Sequence, residues 1–285
     1  MTSRPFLRLL GGVTRRVHPR GTERLLRRLH HPDRAAENPV RTLLAYDRGL
    51  RISIDTGDFI EWRIFFFGHY EPAVSRFIRK SLPRGGTAID VGANVGCHAL
   101  IMADAVGSDG TVYALEPHPR SFRRLRDNLA LNRLDVCRPD ALALGDEEKE
   151  ATLYGPGEGR ASRGVASLYP GIVPAPRGYP VTVTTLDVFC RDRNPSRLDL
   201  IKIDTEGNEL KVIRGGAATL ARYRPILILE YSPRTWTAAG ATLEEAAAEL
   251  GKLGYRLDPL PGGKGDLGGR ASADLLGTPM EKADR

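Results

Sequence analysis

The chain of 285 residues is 41% hydrophobic, enough to bury a substantial core as one domain or two small ones. No stretch approaches the ~20 consecutive apolar residues that span a bilayer, and the amino terminus lacks an apolar run long enough for a secretory signal. Three scattered cysteines (Cys97, Cys137, Cys190) with no Cys/His cluster argue against zinc and for a reducing, cytoplasmic setting, while the net charge of +7 is confined to residues 1–43, where ten arginines face only Glu23, Asp33 and Glu37.

In that basic arm Phe6, Leu7, Leu9 and Leu10, then Leu25, Leu26 and Leu29, are interleaved with arginines. Short amphipathic helices of this kind either pack with their arginine stems along a core or rest weakly on an anionic membrane surface. Residues 43–67 read as extended, with Ile52 and Ile54, then Ile64 to Phe67, separated by turn formers at 55–58. Glu71-Pro72 opens a helix that carries Val74, Phe77, Ile78 and Leu82 on one face and ends at Pro83-Arg84-Gly85-Gly86.

From there strand and helix alternate. Residues 87–91 form a strand, 96–106 a helix, 111–115 a strand and 118–132 a helix with Phe122, Leu125 and Leu129 inward. Residues 136–144 are extended but interrupted by Pro139, and strand-like pieces at 151–154 and 181–185 flank a Gly/Pro-rich connection. The apolar runs 198–203 and 226–229 suit strands buried on both faces, with a helix from near Glu206 between them. Thr242 and Glu245 spell a capping box for a helix over 243–253, Gly254 stops it, and 255–260 is a last strand before a glycine-rich stretch expected to be loosely ordered. Repeated βα units predict an α/β fold, a mostly parallel sheet with helices on both faces. The expected organisation is a basic extended or helical extension over 1–43, one domain over 44–262 and a flexible tail over 263–285.

In such sheets ligands bind beyond the carboxyl ends of the strands, where strand order reverses. The first βα turn reads Asp90-Val91-Gly92-Ala93-Asn94-Val95-Gly96. Gly92 and Gly96 let the backbone approach a ligand closely, and Asp90 can accept from an ammonium group. Asn94 stands where a dinucleotide fingerprint has its second glycine, and the last glycine comes one residue early, which favours a zwitterionic amino-acid nucleoside over a pyrophosphate. Glu116 closes the second strand and can accept both ribose hydroxyls, and Asp140-Ala141 closes the third, where a carboxylate can receive an adenine amino group. One acid at a strand end is often only a helix cap; three at successive strand ends point to a ligand.

The chain resembles the FkbM-type methyltransferase family. The resemblance rests on Phe67-Gly68-His69-Tyr70-Glu71-Pro72, Ile89-Asp90-Val91-Gly92-Ala93-Asn94-Val95-Gly96 and Leu115-Glu116-Pro117-His118-Pro119. It continues through Ala143-Leu144-Gly145-Asp146, Thr185-Leu186-Asp187 and Ile201-Lys202-Ile203-Asp204-Thr205-Glu206-Gly207-Asn208-Glu209-Leu210, in that order, over about residues 45–232. It implies a Rossmann-like class I methyltransferase fold, S-adenosylmethionine as donor, and commonly O-methylation of sugars or natural products. Thr205 departs mildly from the β-branched aliphatic usual there.

Methyl transfer from a sulfonium is an in-line displacement, so the protein must align the acceptor and take a proton from a poorly acidic hydroxyl. Asp204 or Glu206, at the fourth strand end, is the preferred base; Glu230 at the next strand end and His118 are alternatives. Glu206 and Glu209 could instead merely favour a helix N-terminus. Asp204, Glu206 and Glu230 would suit Mg²⁺, which could replace the base by lowering the hydroxyl's pKa; clustered acids need not bind a metal, so none is assigned and metal assistance stays open at this level. Lys202, in a strand that reads as buried, should pair with an acid. Glu71 is expected at the edge of the donor site, as part of a lid or a helix start. Two decoys are set aside: Gly155-Pro156-Gly157-Glu158-Gly159 is a poor phosphate loop, and Cys97-His98 is expected to pack rather than react.

The expected partner is a small molecule with a hydroxyl, not a nucleic acid. The alternatives are an RNA-modifying protein using its basic arm, a nicotinamide-dependent oxidoreductase, and a donor-binding domain without catalysis. The acceptor, the choice of O- over N-methylation and the oligomeric state stay open at this level.

Overall fold

The computed structural model describes residues 4–17, 19, 21–31, 35, 39–156, 165–174, 176–264 and 272–283. The chain divides into two compact units, one of residues 1–70 with 156–165 and 175–177, the other of residues 71–155, 166–174 and 178–285. The division after Tyr70, rather than near residue 43, follows from a group of elements that pack on the arm.

In the first unit the arm folds as α1 (Arg4–Thr14) and α2 (Thr22–Leu29). A hairpin of β1 (Arg41–Tyr46) and β2 (Leu50–Asp55) follows, then α3 (Phe59–Phe67). Ile64 to Phe67 are therefore helical, not extended. An aromatic run buried on all sides carries no period that separates strand from helix. The ends decide it: the Asp58 carboxylate accepts from the Ile60 and Glu61 amides at 2.9 and 3.3 Å, and Gly68 closes the helix with φ +80°. Trp62 donates to the His30 carbonyl at 2.9 Å, Glu23 holds both Arg27 and Arg63, and Leu7 and Leu26 are buried. The arm is thus a packed extension.

The second unit runs α4 (Pro72–Ser81), β3 (Thr87–Val91), α5 (Cys97–Val106), β4 (Thr111–Leu115), α6 (Pro119–Asn132) and β5 (Cys137–Asp140). It continues with β6 (Ala143–Gly145), β7 (Lys149–Gly155), β8 (Arg177–Thr185), α7 (Leu186–Arg193), β9 (Leu200–Ile203), α8 (Glu209–Arg214) and α9 (Ala217–Tyr223). β10 (Ile226–Tyr231), α10 (Pro233–Ala238), α11 (Leu243–Lys252), β11 (Tyr255–Pro259), β12 (Ala273–Pro279) and α12 (Met280–Ala283) complete it.

Seven strands form one sheet in the order β11-β12-β10-β9-β3-β4-β5, in which β5, β4, β3, β9 and β10 are parallel and β12 runs antiparallel to both its neighbours. The chain builds outward from β3 through β4 to β5, then returns to β9 on the other side of β3. Strand order therefore reverses between β3 and β9, and the crevice expected of such a reversal lies at their carboxyl ends. The core gathers Ile89, Ile201, Ile203, Leu227 and Leu229, all buried, and each contributes about 1.5–3 kcal/mol by leaving water.

Three expectations are corrected here. The extended run 136–144 is two strands, because β5 stays in the main sheet whereas β6 joins a second sheet of order β6-β8-β7. The single helix after Glu206 is two, α8 and α9, with Gly215 and Gly216 between them; a side chain on Gly215 would lie 2.0 Å from the Gly145 carbonyl oxygen. The tail is not loose over 273–279: β12 is inserted between β11 and β10, with Ala273 and Leu275 buried. It pairs antiparallel with β10 and with β11, its neighbour along the chain, but the long glycine-rich connection from β11 carries no tight-turn signal that would announce it. The capping box of α11 forms as read, Glu245 accepting from the Thr242 amide at 3.0 Å and Thr242 from that of Glu245 at 3.1 Å. Among the described residues no helix is long and apolar enough to cross a membrane. Residues 157–159 of the glycine-rich decoy and glycines 265, 268 and 269 lie outside the described residues.

Candidate active site

Asp90 sits one residue before the end of β3, in register with Ala114 of β4 on one side and Lys202 of β9 on the other. It is 1% exposed. Neither carboxylate oxygen closes a hydrogen bond of ordinary length; the Lys202 ammonium stands 3.8 Å away. Burial pushes Asp90 up to about 6, against the pull of Lys202.

The turn after β3 brings two backbones together. Gly92 has φ +81°, and a Cβ there would lie 1.8 Å from the Asp204 carbonyl oxygen, so only glycine fits between the β3 and β9 ends. Asn94 follows with φ +51°, and Gly96 caps α5 with φ +94°. The turn is held from β4: Glu116 accepts from the Asn94 amide at 2.8 Å with Oε2 and from the His118 amide at 2.7 Å with Oε1. Burial pushes Glu116 up to about 7, while those two amides hold it down. Each oxygen keeps a second lone pair for a hydroxyl donor.

Asp140 ends β5 beside Glu116, whose amide donates to the Asp140 carbonyl at 3.0 Å. Its side chain is held by Arg193 at 2.9 and 3.1 Å, and Ala141 beyond it is exposed. The main-chain edge at Asp140-Ala141 is thus adjacent to Glu116, while the Asp140 carboxylate already has a cation.

On the other side of β3, Asp204, Glu206 and Glu230 each place a carboxylate oxygen within 4.8 Å of the others. Lys202 donates to Asp204 at 2.9 Å, the pairing expected of a buried lysine. Burial would raise Asp204, but Lys202 outweighs it, together with hydrogen bonds from Glu230 and Lys202, and leaves Asp204 at about 2. Glu230 is pushed well up, by Asp204 first and burial second. Burial, then Asp204 and Glu209, push Glu206 up to about 8. Glu209 does what a first-turn acid can: its carboxylate accepts from the Thr205 amide at 2.7 Å and the Gly207 amide at 3.0 Å, fixing the turn that presents Glu206. Glu206 itself has φ +55°.

His118 is elsewhere. It caps α6 and packs edge-to-face on Tyr179 at 4.6 Å, outside the Asp204–Glu206–Glu230 cluster. Burial, with Arg120, lowers it to about 4.

Two further residues enter the site without a motif to signal them. Lys264, just beyond β11, meets Glu71 in a close ion pair and stands 3.4 Å from Glu230. Its position is set by Asp274 of β12, which accepts from the Lys264 amide at 2.9 Å and donates its own amide to the Lys264 carbonyl at 3.1 Å. His98 packs as expected, yet its Nε2 lies 3.7 Å from Glu71, and burial with Lys202 nearby keeps it well below its ordinary value. Glu71, the N-cap of α4 with φ +43°, is raised by burial against the pull of Lys264. The capping turn thus delivers a buried carboxylate to the site.

Beside the turn lies a cavity of about 340 Å³ between β7, the 168–170 segment and α8, lined by Tyr154, Tyr169, Asp146, Lys149, Asn208 and Lys211 among others. The Tyr169 hydroxyl donates to Asn208 at 3.0 Å and Ser167 to the Glu206 carbonyl at 2.8 Å, so the cavity wall and the turn after β9 are one bonded structure.

The family model described as the methyltransferase FkbM domain matches residues 90–257. Among characterised proteins, 2-O-methyltransferase NoeI of Sinorhizobium fredii is 28% identical over 158 residues, 50% of this chain and 62% of that protein. Methyltransferase 1 of Beauveria bassiana is 25% identical over 173 residues, 55% of this chain and 66% of that one. The matches therefore span slightly less than two thirds of either relative. Among solved structures, methyltransferase FkbM from Methylobacillus flagellatus KT aligns with a TM-score of 0.45 at 14% identity, covering 75% of this chain and 52% of the other.

Proposed function

Because this chain belongs to the FkbM methyltransferase family, we propose that it moves a methyl group from S-adenosylmethionine to a hydroxyl of a sugar or similar small molecule. The observation that carries this reading is the single edge of sheet on which Asp90, Glu116 and Asp204 stand, at the ends of β3, β4 and β9 around the reversal of strand order. The residues fit the donor chemically. Asp90 offers two buried oxygens to an ammonium, Glu116 offers its remaining lone pairs to ribose hydroxyls, and the Asp140-Ala141 main chain borders the adenine position. When bound, the donor supplies a methyl already carried on an excellent leaving group.

The chain's own work is alignment and proton removal. Asp204, ionised and fixed by Lys202, holds the floor of the reaction mouth. Glu206, ionising near 8, is the base: it is far more basic than Asp204, and the turn held by Glu209 presents it at the mouth. The Tyr169-lined cavity takes the rest of the acceptor, and its two tyrosines with the polar Asp146, Lys149, Asn208 and Lys211 suit a saccharide. The three cysteines are free and buried, in keeping with a reducing compartment.

Incubation with S-adenosylmethionine and a panel of saccharide and natural-product alcohols, followed by mass spectrometry, tests the reading. A gain of one methylene unit on a hydroxyl, lost in Glu206→Gln, is the expected result. Methylation confined to nitrogen, or a product that needs NAD instead, would overturn it.

A further inference from the structure

The large apolar side chains that remain exposed are not scattered. Among the described residues they are Phe6, Leu9, Val13, Val17, Leu25 and Leu29 in the arm, with only Leu43 and Met280 elsewhere. Single exposed leucines need no explanation; six in one segment do.

Within each helix their spacing gives them one outer face. Phe6, Leu9 and Val13 recur at three- and four-residue intervals along α1, and Val17 continues the stripe just past the helix end. Leu7, Gly11 and Thr14, the residues that turn inward, lie on a different face. In α2 the same division holds: Leu26 is buried, while Leu25 and Leu29, four apart, are 57% and 47% exposed. Packing of the arm is thus complete without these side chains.

Exposed arginines alternate with these residues along the sequence. Arg8, Arg16, Arg24 and Arg28 are all exposed and make no ion pair or hydrogen bond among the described residues, whereas Arg27 is satisfied by Glu23. The segment that holds the unpaired arginines also holds the whole net charge of the chain.

We propose that residues 4–17 and 21–29 form an interfacial anchor, exposed apolar faces with exposed arginines beside them in the sequence, that docks this chain on an anionic lipid surface. Apolar side chains sink into the acyl boundary while guanidinium groups meet the headgroup phosphates, a combination that neither feature achieves alone. A second copy fits the face less well, because it would set arginine against arginine. RNA would satisfy the arginines but leave leucine and valine exposed, as only Phe6 among the stripe residues can stack on a base.

The test is flotation of the full chain with vesicles of phosphatidylcholine alone and of phosphatidylcholine containing phosphatidylglycerol. The chain should float only with the anionic vesicles, and less at high salt. Leu9→Glu with Val13→Glu should lower partitioning at least about tenfold. Replacing Arg8, Arg16, Arg24 and Arg28 by glutamine should lower it on the order of a hundredfold or more. Both variants alter only exposed side chains, so their unfolding midpoints should match the wild type. Absence of flotation with anionic vesicles overturns the proposal, as does flotation that survives both sets of substitutions. Loss of dimerisation rather than of flotation in the Leu9/Val13 variant would assign the face to a second copy. Salt-sensitive binding to single-stranded RNA without flotation would assign it to nucleic acid.

Discussion

The Lys202 ammonium donates to Asp204 at 2.9 Å from within β9, a strand that is otherwise isoleucine and leucine. Its other neighbour is Asp90, across the register of β3. One buried cation thus holds the acid of the first strand end to that of the fourth, and joins the two halves of the crevice.

Removing that cation should be costly. Lys202→Met takes from the buried Asp204 and Asp90 the cation that both face, and a broken buried pair costs about 3–5 kcal/mol. Chemical denaturation should show this loss, and Lys202→Met with Asp204→Asn should lose clearly less than the sum of the two single changes. Strict additivity would mean that the two residues do not act as a pair.

Gly92 and Gly12 make an opposed pair. Gly92→Ala places a methyl against the Asp204 carbonyl at a positive φ, and should destabilise by at least about 2–4 kcal/mol and abolish donor binding. Gly12, in α1, has nothing within 4 Å of an added Cβ, so Gly12→Ala should stabilise by up to about 1 kcal/mol. Thermal unfolding reads both.

Stability should fall as pH rises through the neutral range. Glu206 titrates near 8 and Glu116 near 7 when folded, against an ordinary value of 4.5. Between 4.5 and those values the folded chain binds more protons than the unfolded one, so the stabilisation present below 4.5 is lost as pH climbs to 8. Asp204, at about 2, acts in the opposite sense but only in strong acid. The unfolding midpoint without donor should be lower at pH 8.5 than at pH 6, and Glu206→Gln should flatten the slope. A base that ionises near 8 also predicts turnover rising along a limb centred there. A rate independent of pH between 6 and 9 would remove Glu206 from that role.

Lys264 sets the charge of the other wall. Lys264→Met takes the cation from both Glu71 and Glu230. The remaining carboxylates should then hold their protons to higher pH, shifting the limb of the pH–rate profile upward, while Lys264→Arg restores it. An unchanged profile would make Lys264 a structural link only.

Much of this site is written locally. Asp90, Gly92 and Glu116 announce themselves because a strand end followed by glycine or a helix start is a short-range pattern, and the structure places all three on one edge. Asp204 and Glu230 were legible for the same reason. What stayed hidden depends on distance along the chain. Lys264 reaches Glu71 from the long connection between β11 and β12, its backbone fixed by Asp274 of β12, and that connection carries no short turn signal by which the pairing could be read. His98 reads as core packing and is packed, yet its ring faces Glu71. The aromatic helix α3 looks extended in the sequence because burial on all sides erases the period by which helix and strand are told apart. Asp140 shows a limit of another kind: its position at the β5 end follows from the pattern, but its capture by Arg193 requires knowing where α7 ends.

Calorimetry with S-adenosylhomocysteine tests the donor cleft most directly. The wild-type chain should bind it and not NAD. Asp90→Asn and Glu116→Gln should each weaken binding by about tenfold or more, as expected for loss of a charged hydrogen-bond acceptor, whereas Glu206→Gln should leave it nearly unchanged. Failure of the wild type to bind, or equal loss in all three variants, would contradict a cleft in which the β3 and β4 acids hold the donor while the turn after β9 meets the acceptor.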